Sequence, residues 1–188
     1  MRLLDFLRFD DKPETMLKKL NLFTLGVALI FSISCSKEKE IVDIDEKNLT
    51  NCQAETCKYQ FTEQADVSLS PIVIKSGSYR LFLVEFNTAV SQARLYIKAP
   101  MNAPQFTLND KDIRNGKVQY LMMCTSCDYV DVKAVGGYVK GKNLTPDKPS
   151  DQAKWILEAE IILQSVSNPN YKHTLYIKQY FNPNFVTN

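Results

Sequence analysis

The chain has 188 residues, and its 23 Lys and Arg stand against 21 Asp and Glu, for a formal net charge of +2. So even a balance argues against the clustered basic face that a nucleic-acid partner requires. Nothing repeats at a fixed period and nothing is low-complexity, so the chain reads as an ordinary globular protein and not as a solenoid or a disordered tail.

In chain order, residues 1–15 (MRLLDFLRFDDKPET) carry Asp5, Asp10, Asp11 and Glu14, whereas a secretory n-region is net positive. The expected start is therefore Met16, and residues 1–15 have no part in the fold argument. Leu22 to Cys35 (LFTLGVALIFSISC) follows Lys18 and Lys19: a basic start, about a dozen mostly apolar residues, then small residues up to a cysteine. The run is shorter than the roughly 20 apolar residues a bilayer crossing needs, and SKEKE ends it. Ser32, Ile33 and Ser34 before Cys35 resemble the lipobox of bacterial lipoproteins. That resemblance implies cleavage before Cys35, acylation of its thiol (a palmitate-type anchor) and residence in the cell envelope, at the outer membrane or cell surface.

With residues 1–34 removed, 5 basic and 4 acidic residues leave the totals of 23 and 21, so 18 face 17. The remaining ~150 residues suit one domain with a real core. Residues 35–51, charged with alternating signs, are expected to be the lipidated cysteine and a flexible tether, and residues 52–188 the folded domain.

From Cys52 onward the apolar period is 2. Tyr79 to Phe86 (YRLFLVEF) is apolar on both faces, as in a buried strand, and QARLYIKAP sets Ala93, Leu95 and Ile97 opposite Arg94, Tyr96 and Lys98. Asn115-Gly116 and Gly136-Gly137 are expected to be tight two-residue turns, the second between YVDVKAV and YVKGKN. KWILEAEIILQS could line a helix, but Trp155, Leu157, Ala159, Ile161 and Leu163 alternate with Glu158 and Glu160, which favours a strand. SNPN then makes it one arm of a long hairpin with YKHTLYIKQYF. Eight or nine short strands predict an all-β, antiparallel single domain, a sandwich or jelly-roll, with a small lipocalin-like barrel as the alternative.

Chemistry is sparse. His173 is the one histidine, too few for a triad or a histidine-rich metal site without partners that sequence does not show. Asp110 and Asp112 near Asn109 and Asn115 suggest a calcium loop but lack the EF-hand spacing, and read as solvated loop acids. Glu158 and Glu160 share a strand face about 6.5–7 Å apart, within the range of glycosidase carboxylates, yet adjacent exposed acids are the commoner reading. Tyr176, Tyr180, Phe181 and Phe185 could stack on a sugar, or pack the sheet.

Cys52, Cys57, Cys124 and Cys127 form two close pairs. An oxidising compartment makes disulfides the default, local pairs slightly preferred; a four-thiolate zinc site is the alternative, and free thiols are the third possibility. Cys124-Thr-Ser-Cys127 lacks the helix that a redox CxxC draws on, since DYVDVKAV after it is strand-like. The expected function is a non-enzymatic binding or structural module of the envelope. It has a membrane anchor and a possible glycan or protein partner, and no nucleic-acid partner or cofactor. The alternatives are a hydrolase with a site assembled from distant loops, a zinc-binding β domain and a thiol-disulfide protein.

Overall fold

A computed structural model describes residues 41–52, 56–69, 72–124 and 131–183. The lipobox-like segment with Cys35, and also Cys127 and Phe185, lie outside these. Among the described residues no helix is long and apolar enough to cross a membrane.

The fold is all-β, as the period-2 pattern predicts. Nine strands are described: β1 (Cys57–Leu69), β2 (Ile72–Ser76), β3 (Tyr79–Asn87), β4 (Ser91–Pro100), β5 (Gln105–Leu108), β6 (Val118–Cys124), β7 (Val132–Asn143), β8 (Trp155–Ser165) and β9 (Lys172–Pro183). They form one mixed sheet in the order β5-β7-β8-β9-β1-β3-β4-β6, with β2 added beside β1. All pairings are antiparallel except a short parallel junction, Gln60↔Asn182 and Phe61↔Pro183. The sheet curls into a half-barrel.

One face of every long strand is apolar, and curling brings these faces together. Phe82 on β3 packs against Phe61 on β1, Phe106 on β5, Trp155 on β8 and Phe181 on β9, with ring centroids 5.4–5.7 Å apart. Such spacings are those of edge-to-face and tilted aromatic pairs. On β8, Trp155, Leu157, Ala159, Ile161 and Leu163 all point inward, and β8 pairs with β9 along ten residues. The long hairpin of the sequence reading is thus present, and a helix there is ruled out.

Three expectations need correction. Gly136-Gly137 is not a turn: β7 runs unbroken from Val132 to Asn143, with a register shift between Ala134 and Gly136. The shift is a bulge with Val135 as the extra residue, directly before the two glycines, and it re-aims the strand. Asn115-Gly116 joins no hairpin either. It ends a helical stretch, the short α1 (Asp110–Asp112) continuing into a π-turn at Ile113–Lys117, where Gly116 has φ 81°. Strand β5 before it pairs with β7, and β6 after it pairs with β4. The φ > 0 requirement was read correctly; the strands it serves are not each other's partners.

The third concerns the tether. Residues 41–51 are not free: Val42 and Ile44 are 5 % exposed and pack on Ile156, on the outer face of β8. The Thr50 N–H donates to the Lys178 carbonyl at 2.7 Å, and the Lys178 N–H donates to Thr50 Oγ1 at 2.8 Å. Two acids of this strap take partners on β9, Asp45 with Lys178 and Glu46 with the Tyr180 hydroxyl. A second cover lies on the other half. Gln64, at φ 52°, sits within the register shift between Thr62 and Ala65, after which Ala65 and Val67 pack against Leu81 and Tyr96. That cover is why YRLFLVEF is apolar on both faces.

Candidate functional site

Alternation along four strands places the ends of β6, β7, β8 and β9 around a cavity of about 410 Å³. Its residues follow from register. Met122 and Tyr120 on β6 stand opposite Ala93 and Leu95 of the inner face of β4. Leu163 on β8 stands opposite His173 on β9, and Ser165 opposite Val132 on β7. The floor is Tyr120, Met122, Val132 and Leu163, and the rim is Ser165, Ser167, Asn168, Tyr171 and His173. The size and the mix of apolar walls with a few polar groups are those of small-molecule sites.

The rim is held by the β8–β9 turn. The Ser165 N–H donates to the Tyr171 carbonyl at 3.1 Å, and the Asn168 N–H donates to Ser165 Oγ at 3.1 Å. Ser165 Oγ also lies 3.1 Å from Ser167 Oγ. These bonds occupy the hydroxyl of Ser165, a residue 2 % exposed. It is therefore a turn-forming group and not an activated nucleophile, which would need a base in contact with it. Burial pushes the Tyr120 phenol up, consistent with a wall shielded from water. His173 is exposed, and among the described residues no hydrogen bond or ion pair reaches its imidazole.

The other residues singled out by sequence are dispersed. Glu158 and Glu160 lie on the outer face of β8, away from the cavity. Glu158 accepts from the Tyr138 hydroxyl at 3.0 Å and lies 3.5 Å from the Lys178 ammonium. A carboxylate so engaged is part of a cross-strand polar network. Asp110 accepts the Gly137 N–H at 2.6 Å, and Asp112 pairs with Lys117 at 2.7 Å while closing a capping box with Asn109. Both acids are thus tied into local structure. Tyr176 and Tyr180 take the outer face of β9 and Phe181 the core, so they make no continuous platform.

Cys52 and Cys57 are joined in a disulfide, with α-carbons 6.0 Å apart, one of the local pairings expected. Cys124 is disulfide-bonded too. Among the described residues no group of three or more His, Cys, Asp or Glu is placed to hold a metal ion. Register also separates the pairs. From Cys57 the ladder runs through Phe86 and Ala93 to Met122, three strand steps or roughly 14 Å along the sheet. Two thiolates on one zinc can be no more than about 4.6 Å apart.

Sequence reasoning named His173 but missed the company it keeps. The signal was present: the inward series of β8 continues past Leu163 to Ser165, and the hairpin register then brings His173 and Tyr171 alongside. No protein-family model, no curated protein and no solved structure matches this chain.

Proposed function

We propose that this chain is a lipid-anchored protein of a bacterial cell envelope, acylated at Cys35 and held at the outer membrane, whose β domain is a binding module. The observation that carries the binding reading is the cavity between β6 and the β8–β9 hairpin. It has an apolar floor, and its two serine hydroxyls are hydrogen-bonded within the turn, with no described partner linking them to the imidazole of His173. The anchor reading rests on LFTLGVALIFSISC and the residues flanking it.

The packed strap sharpens the geometry of such an anchor. Even fully extended, the seven residues from Cys35 to Val42 reach at most about 25 Å, so an anchor at Cys35 would keep the domain close to the membrane surface. Several long acyl chains, each methylene contributing about 0.8 kcal/mol, make release negligible.

Two measurements test the proposal. Cells fed labelled fatty acid should label the wild-type protein and not Cys35→Ser; equal labelling of both would remove the anchor. Ligand binding by the β domain, abolished when the cavity is filled, tests the module.

A further inference from the structure

We infer that the cavity between β6 and the β8–β9 hairpin takes a small uncharged ligand carrying an aromatic ring, apolar end inward, and rejects the same molecule when it bears a charge. This rests on the binding reading above and adds the ligand class to it.

The argument starts from what lines the space. No Lys, Arg, Asp or Glu is among the described lining residues. An ion brought into it would lose its hydration and meet no opposite charge, a cost that only pairing offsets. The nearest charges in sequence, Lys172 between Tyr171 and His173 and Asp131 and Lys133 on either side of Val132, are exposed and are not among the lining residues.

Chemistry inside the cavity favours an aromatic group. Met122 supplies a polarizable thioether and Tyr120 a ring on the same inward face of β6, and thioether sulfurs make favourable contacts with ring edges. Apart from the Tyr120 hydroxyl, the polar side-chain atoms are on the other side. The side chains of Asn168, Tyr171 and His173 stand on the rim, where they can exchange one or two hydrogen bonds with a polar end. A volume of about 410 Å³ holds roughly a dozen waters at ~30 Å³ each, so a ligand of a few rings can displace them together.

The probes are N-phenylnaphthylamine, which is neutral, and its sulfonate, anilinonaphthalene sulfonate. They share a hydrophobe and differ by one charge. Fluorescence titration of the protein should show the neutral probe binding at least about tenfold more tightly. Val132→Trp, which fills the floor, should abolish binding; Ser167→Trp on the exposed rim serves if that variant fails to keep the wild-type circular dichroism. Met122→Lys should reverse the preference by giving the sulfonate a partner. Equal affinity for both probes, lost in the filled variant, overturns the selectivity and leaves a binding cavity in place. If neither probe binds, or if binding survives both Trp substitutions, the cavity reading falls together with the inference.

Discussion

The guanidinium carbon of Arg80 stands 4.3 Å from the centre of the Trp155 ring, on the inward face of the half-barrel. Nε and Nη2 of Arg80 both donate to Glu63 Oε1, at 3.0 and 2.7 Å, and Nη2 also reaches the Met101 carbonyl at 3.2 Å. The partners differ in exposure, 8 % for the Arg80 side chain and 26 % for that of Glu63.

That asymmetry orders the mutants. Glu63→Gln leaves a buried cation with carbonyls and a ring for company, and should cost about 3 kcal/mol. Arg80→Met leaves a carboxylate that water can reach and an apolar chain over Trp155, so the loss should be smaller, about 1–2 kcal/mol. Urea unfolding of the two variants and the double mutant checks the order. If Arg80→Met is the more damaging, the ring stack and not the ion pair dominates.

Gly137 should tolerate no side chain. Its φ is 108°, and a Cβ would run into the Glu160 carbonyl oxygen on the paired strand. Gly137→Ala therefore meets both backbone strain and a backbone clash, and should lose more than about 3 kcal/mol. Asp110→Ala, which frees the Gly137 N–H and removes an exposed 3.9 Å ion pair with Arg114, should cost about 1 kcal/mol. Denaturant midpoints distinguish the two. Similar losses for both would show that the Asp110 bond, and not the glycine backbone, holds the bulge.

Burial pushes the Tyr138 phenol up, and its hydrogen bond to Glu158 and that carboxylate's charge push it further, to about 12 from 10.0. A phenol raised in the folded state contributes stability that is complete below pH ~10 and is lost as pH rises towards 12. Alkaline difference absorbance should therefore show a late-ionising tyrosine that Tyr138→Phe lacks, and the variant should lose less stability over that window. Burial also raises Tyr59 and Tyr120, so the signal is the removal of one phenol among several. An unchanged titration in Tyr138→Phe would refute the assignment.

The strands were legible where one face is buried and the other is wet. Along β8 the alternation of Trp155, Leu157, Ala159, Ile161 and Leu163 with Glu158 and Glu160 outweighs the helical option. Glycine pairs were less legible. Gly136-Gly137 and Asn115-Gly116 announce unusual backbone, but a bulge, a π-turn and a hairpin all use it, and only the pairing of neighbouring strands decides among them. The cavity was the hardest to foresee, because its lining comes from strands as far apart in sequence as Tyr120 and His173. Residues 41–45, IVDID, do alternate, and their charge hid that pattern.

The strap supplies the last test. Val42 and Ile44 bury their side chains on Ile156, beside Leu49, Leu144 and Tyr180. Burying one such side chain fully is worth about 1.5–3 kcal/mol, and a strap that must also be ordered keeps only part of the total. A chain beginning at Cys52 exposes Ile156 and leaves Lys178 without Asp45, so it should unfold at clearly lower urea than one beginning at Ile41. Ile44→Asp in the longer chain should reproduce most of that loss, since it removes an apolar contact and desolvates a new charge. Amide exchange gives the local view: the Lys178 N–H, bonded to Thr50 Oγ1, should lose protection in Ile44→Asp before the amides of the flanking Leu157–Gln179 and Ala159–Ile177 pairs of the β8–β9 ladder do. Equal stability of the chains starting at Ile41 and Cys52 would return residues 41–51 to the role of a free tether, and the anchor would then have the longer reach.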